Sequence, residues 1–164
     1  MMPAIVCNTG PIIALSAIRK LNILKNLYDT VYLPSAVYNE IVTGEEHLRE
    51  FYQFRDIDWF NILELQQPMD PLLSTVLDIG EASVIQLSRE IGVMKILMDE
   101  RKGRKIAREI YGLTVIGTAR ILVDAKKANL ISSVKDLMYE MMDNGYWIHD
   151  NIIQAALKEV NEKD

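Results

Sequence analysis

The chain has 164 residues, 49% hydrophobic and 25% charged, which is the balance of one folded globular domain, 1–164, and excludes a disordered or fibrous protein. Its net charge of −5 excludes a whole-molecule attraction to polyanions, so any such ligand must be met by a local basic patch. The single cysteine, Cys7, excludes an internal disulfide framework and fits a reducing cytoplasm.

The first apolar run, Ala4–Cys7, predicts a buried strand that stops at Asn8, and Pro11 opens a helical run behind it. Residues 3–18 are apolar enough to raise the question of a secretory leader. That reading is poor: the stretch has no basic start, Asn8 and Pro11 interrupt it, and Arg19 and Lys20 follow it. No run reaches the roughly 18–20 apolar residues of a bilayer span, so a soluble protein with no membrane contact is expected. Further strands are predicted at Thr30–Leu33 before Pro34, Lys95–Met98 before Asp99 and Leu113–Ile116 before Gly117, with a weaker one at Asn61–Leu65. Ser35 predicts a capped helix through Val37, Glu40 and Ile41 that Gly44 stops. The segment 44–70 is harder to read; Glu45, Glu46, Arg49 and Glu50 imply a solvated helix or an excursion. Later helices are predicted over Gly80–Ile91 (closed by Gly92), Glu100–Ile110, Thr118–Ala128, Ser132–Met142 and Asp150–Val160, with a turn at Asn144-Gly145. Strand alternating with helix implies a three-layer α/β/α sandwich around a central parallel sheet.

Such a sheet gathers its strand ends along one edge, and chemistry sits there. Asn8, Thr9, Glu40, Asp99, Glu100, Gly117 and Thr118 follow strands or open helices, and Glu81 approaches the same edge from the turn-like Asp78-Ile79-Gly80. Acids converging from separate segments would repel one another, and a divalent cation would relieve that repulsion. Hard oxygen donors without a cysteine or histidine cluster point to Mg²⁺ or Mn²⁺. Each acid also has a plainer reading: Glu40 as a surface helix residue, Glu81 as a partner of its helix dipole, Asp99 as a helix cap.

The run Glu100 to Glu109, ERKGRKIARE, carries Arg101, Lys102, Arg104, Lys105 and Arg108 directly after Asp99. If helical, several share one face and could recruit phosphates, or they form a solvated face laced by Glu100 and Glu109. Arg120 is a further phosphate candidate. His47 and His149 lie in no catalytic-looking setting, and His149 belongs to the start of the last helix. Met138, Met141, Met142, Tyr146 and Trp147 crowd the C-terminal region, either as core or as a partner surface.

Taken in order, CNTGPIIALSAI, VYLPSAVYNEI, DIGEASVIQLS, ILMDERKGRKIA, VIGTARIL and NGYWIHDNIIQAAL make the chain resemble the PIN-domain superfamily. The resemblance covers nearly the whole chain. It implies a Mg²⁺- or Mn²⁺-dependent endoribonuclease, toxin-like in a toxin–antitoxin pair, homodimeric and held by a small antitoxin. By that resemblance Glu40, Glu81 and Asp99 are the catalytic acids, and Asn8, Glu40, Glu81, Asp99 and Glu100 the metal set. Thr9, Arg101, Lys102, Arg104, Thr118 and Arg120 would contact RNA. Asn8 stands where the family usually has an aspartate. Its carbonyl can still coordinate a hard cation, but without formal charge. Two expectations follow: an enzyme with a weakened site, or a degenerate module that binds RNA or a protein and cuts nothing.

Overall fold

A computed structural model describes residues 3–43 and 56–164. Five strands, all parallel, lie in the order β3-β2-β1-β4-β5. They are β1 Ala4–Cys7, β2 Thr30–Pro34, β3 Phe60–Leu63, β4 Lys95–Leu97 and β5 Thr114–Ile116. In two of the three inner strands, Ile5, Val6 and Cys7 of β1 and Ile96 and Leu97 of β4 are fully buried, because helices cover both faces of a parallel sheet. That is why these segments read as continuous apolar runs.

The helices are α1 Thr9–Ala17, α2 Asn22–Leu27, α3 Ser35–Thr43, α4 Pro71–Val76, α5 Ile79–Ile91, α6 Arg101–Glu109, α7 Thr118–Lys127, α8 Val134–Asp143 and α9 Asp150–Glu159. Helix α5 crosses β1, β2 and β4 and packs on α3 and α6, while α7 packs with α1, α2, α8 and α9. The chain is thus the expected α/β/α sandwich. Most boundaries shift by a residue or two. Gly92 closes α5 in the left-handed conformation (φ 71°), which only glycine adopts without strain. Helices α2 and α4 have no counterpart in the sequence reading, since six residues are too few to display a helical period. The weak fifth strand is real but starts one residue earlier. It lies at the sheet edge with Ile62 and Leu63 exposed, so its pattern carries little burial signal. The charged stretch Glu45 to Glu50 and the stop at Gly44 lie outside the described residues. No helix among the described residues is long and apolar enough to cross a membrane.

The strand order reverses between β1 and β4, whose ends are joined by the Asn8 N–H donating to the Leu97 carbonyl at 2.9 Å. In open parallel sheets a crevice forms at the carboxyl ends beside such a reversal. Gly103 seats α6 against it: a Cβ there would come 2.5 Å from the Sδ of Met98, which is fully buried. Gly103→Ala gains about 1 kcal/mol of helix propensity but presses on the buried Met98 side chain, so a net loss of up to about 2 kcal/mol is expected in urea unfolding.

Candidate active site

Asn8 links β1 to α1 and is 8% exposed. Asparagine is among the best helix N-caps, yet its side chain makes no capping bond here. Its Oδ1 is instead 3.6 Å from where a Cβ on Gly80 would stand. Next to it, Thr9 Oγ1 is buried with no hydrogen-bond partner among the described residues. A buried hydroxyl of that kind costs roughly 1–3 kcal/mol unless something meets it.

Glu40, in α3, is exposed, and its Oε2 lies 2.8 Å from the same Cβ position on Gly80. Asp78 Oδ1 lies 3.6 Å from it. Gly80 therefore marks a cradle lined by three oxygen donors from three segments, which a side chain would fill. Asp78 was not foreseen. It caps α5 by accepting from the Glu81 N–H at 2.8 Å. The signal was present as Asp-x-x-Glu ahead of an apolar run, a capping-box pattern. Glu81 itself is 9% exposed, and burial, with the nearby Asp78 and Glu100 carboxylates, pushes its pKa up to about 7.

Across the reversal, Asp99 follows β4 and is held from three sides. The Thr118 N–H donates to its Oδ1 at 2.8 Å, and the hydroxyls of Thr118 and Tyr146 both donate to its Oδ2. Gly117 is required for this approach: a Cβ there would stand 2.7 Å from Asp99 Oδ1. Burial, then the charge of Asp99, drives the Tyr146 hydroxyl far above its ordinary range, so it stays a donor. Tyr146 escaped the sequence reading as a site residue because it arrives from the loop after α8, 47 positions beyond Asp99. Asp99 is not a cap; Glu100 caps α6 instead, its two oxygens accepting from the N–H groups of Lys102 (3.0 Å) and Gly103 (2.6 Å).

Of the basic residues, Arg101, Lys102, Lys105 and Arg108 are exposed along α6. Arg104 is half-buried, and its Nη1 donates to the Met98 carbonyl at 2.7 Å. Burial and the neighbouring Arg108 lower its pKa, against the opposing charge of nearby Asp99, although no carboxylate among the described residues is within 4.0 Å of it. Arg120 is otherwise engaged, both terminal nitrogens bonding Glu159 at 2.6 Å. Met138 and Met141 are core, whereas Trp147 is 70% exposed. His149 stands at the N-cap of α9, as expected.

The acids are spread along the edge. Among the described residues, no three acidic, histidine or cysteine side chains come close enough together to hold a metal ion. The donor chemistry nonetheless fits a hard cation. Asn8 and Glu40 turn oxygens into the Gly80 cradle, and the unpartnered Thr9 hydroxyl stands beside them.

An open parallel sheet with carboxylates along the edge where its order reverses defines an acid-lined α/β class. Within that class the chain belongs to the PIN-domain family, whose model, described as a PIN domain, matches residues 4–162. A search of curated proteins finds no match. PIN domains are nuclease-like, act on nucleic acids and are generally dependent on divalent metals.

Glu81 offers a direct test of the electrostatics. The folded protein holds the Glu81 proton up to about pH 7, whereas an unperturbed glutamate releases it near 4.5. The resulting stability is fully present below 4.5 and is lost as pH rises through 7. In chelator, Glu81→Gln should therefore gain on the wild type by roughly 1–3 kcal/mol between acid and mildly alkaline pH. Thermal melts at the two ends of that range check this; a gap independent of pH would mean that Glu81 ionises normally.

Proposed function

We propose that the protein is a single-domain, divalent-metal-dependent endoribonuclease, using Mg²⁺ or Mn²⁺, that hydrolyses RNA phosphodiesters. The observation that carries this reading is the pairing of the Asn8–Glu40–Asp78 oxygen cradle with Asp99 across the reversal, half-buried Arg104 beside it. In this reading Asn8, Glu40, Glu81 and Asp99, which stand along one edge rather than around one point, would supply the ligands of one or two ions, and Glu100 supports them as the cap of α6. A bound divalent ion supplies polarisation of the phosphodiester and a more acidic water.

The chain's own groups do the rest. Thr118 and Tyr146 fix the Asp99 carboxylate in one orientation. Arg104, which stands near enough to Asp99 to feel its charge, orients the phosphate, and Arg101 and Lys102 on the exposed face of α6 attract the strand. Glu81, whose proton is held up to about pH 7 by burial and by the Asp78 and Glu100 carboxylates, would lose that proton on joining the ligand set. Thr9 and Thr118, both buried, act on the strand through the groups they stand beside, the cradle and Asp99. Arg120, bound to Glu159, contributes positive potential at the flank rather than a direct contact. We further propose that the protein works in the cytoplasm as the toxin of a toxin–antitoxin pair, as a homodimer neutralised by a small antitoxin. These last points rest on family resemblance.

A second reading has specific support. Asn8 removes a charge from the leading ligand position, and three hydrogen bonds already engage Asp99. Both features suit a module that binds RNA or a protein without cutting.

Incubation of an unstructured, mixed-sequence RNA with Mn²⁺ separates the two. The nuclease reading expects cleavage by the wild type, loss of at least 100-fold in Asp99→Asn, and a gain in Asn8→Asp. RNA binding without cleavage by any of the three proteins would establish the non-catalytic reading instead.

A further inference from the structure

Two neighbouring residues at the end of β1 carry polar groups that the chain itself leaves unanswered. Asn8 is 8% exposed, yet its amide makes no capping bond and no other hydrogen bond with a described residue. The Thr9 hydroxyl beside it is buried without a partner among the described residues. Buried polar groups are nearly always met by something, and the Asn8 carbonyl is aimed at a definite place. Its Oδ1 lies 3.6 Å from the point where a Gly80 Cβ would stand, with Glu40 Oε2 at 2.8 Å and Asp78 Oδ1 at 3.6 Å from the same point.

The charge gathered there gives Asp78 a second part to play. Glu40 and Asp78 bring carboxylates to the cradle, and Asn8 brings a neutral oxygen. Mg²⁺ keeps several waters and is commonly held by only one or two carboxylates, so this donor set suffices for a hard cation. No third acidic side chain among the described residues comes close enough to share an ion with them. Asp99 is committed elsewhere: its Oδ1 lies 2.7 Å from where a Cβ on Gly117 would stand, and Thr118 and Tyr146 hold it there. Asp78 does cap α5, accepting from the Glu81 N–H at 2.8 Å. One such bond leaves a carboxylate most of its acceptor capacity.

We propose that Asp78 is a ligand of a cation site at Gly80 that is complete without Asp99. Asp78 carries the negative charge that Asn8 does not, so the charge missing from the end of β1 is delivered from the N-cap of α5 instead. An aspartate at position 8 would add a third carboxylate to the two already there. Gly80 is the remaining requirement, since any side chain at that position occupies the point the oxygens surround. The inference rests on the nuclease reading for the use of such an ion, but it concerns which residues hold it, not hydrolysis.

Calorimetric titration of the full chain with Mn²⁺ alone tests this. Asp78→Asn removes the charge but keeps a good N-cap, so its thermal melt should match that of the wild type. Its Mn²⁺ affinity should fall at least about tenfold, the lower end of what disturbing even the outer shell of a metal site costs. Adding Asn8→Asp to Asp78→Asn restores the number of carboxylates and should return the affinity to near the wild-type value. Gly80 has an ordinary helical backbone and its Glu40 neighbour is exposed, so Gly80→Ala should fold and lose the binding. Asp99→Asn should keep it. No Mn²⁺ uptake by the wild type, or equal affinity in wild type and Asp78→Asn, would overturn the proposal and leave Asp78 as a helix cap. A loss in Asp99→Asn as large as that in Asp78→Asn would also overturn it, by making the acids one site. RNA cleavage that Asp99→Asn abolishes and Asp78→Asn leaves untouched would overturn the Gly80 site and leave the nuclease intact. Weakened Mn²⁺ binding by Asp78→Asn in a protein that never cuts RNA would establish the site and remove the nuclease.

Discussion

The carboxylate of Asp99 is the joint on which this edge of the molecule depends. Through it the end of β4, the first residue of α7 and the loop between α8 and α9 are held together by one backbone and two hydroxyl donors. Charge-assisted bonds of this kind are stronger than neutral ones, and half-burial strengthens them further. The joint dictates its surroundings. Position 117 must lack a side chain, and Tyr146 must remain protonated. A site residue is thereby also the tie that brings the C-terminal helices to the site.

On the opposite side of the strand-order reversal, packing takes the place of hydrogen bonding. Glycine at position 80 lets α5 begin close enough to β1 and α3 for Asn8, Asp78 and Glu40 to surround one small volume. That arrangement gathers oxygen atoms but leaves them short of positive charge. Glu81 registers the shortage through its raised pKa, since the burial and neighbouring carboxylates that hold its proton would equally favour a cation. In the proposed nuclease Asn8 acts as a moderating residue. It keeps an oxygen at the leading position while lessening the mutual repulsion that an aspartate would add.

Much of this was legible in the sequence because the physics involved is local. β1 and β4 are buried on both faces and so read as apolar runs; Gly92 ends α5 because one left-handed residue is needed there; the acids after strands were expected at a common edge. What escaped is non-local or short. Six-residue helices carry less than two periods, and edge strand β3 exposes most of its side chains. Tyr146 meets Asp99 only through tertiary packing, and its neighbour Trp147, read with the methionines as core or partner surface, proves to stand apart from the buried Met138 and Met141. The pairing of Arg120 with Glu159, 39 residues away, was equally invisible, and it leaves Arg104, near Asp99, better placed than Arg120 to meet an anion at the edge.

The central claim is that Asn8 belongs to a cation site whose affinity it limits. Calorimetric titration of Mn²⁺ into the wild type and Asn8→Asp addresses that claim without any substrate. An added carboxylate in the cradle should tighten binding at least tenfold, a change of about 1.4 kcal/mol, and lower the Glu81 pKa in the bound state. Equal affinity in the two proteins would contradict the account, because position 8 would then lie outside any ion site.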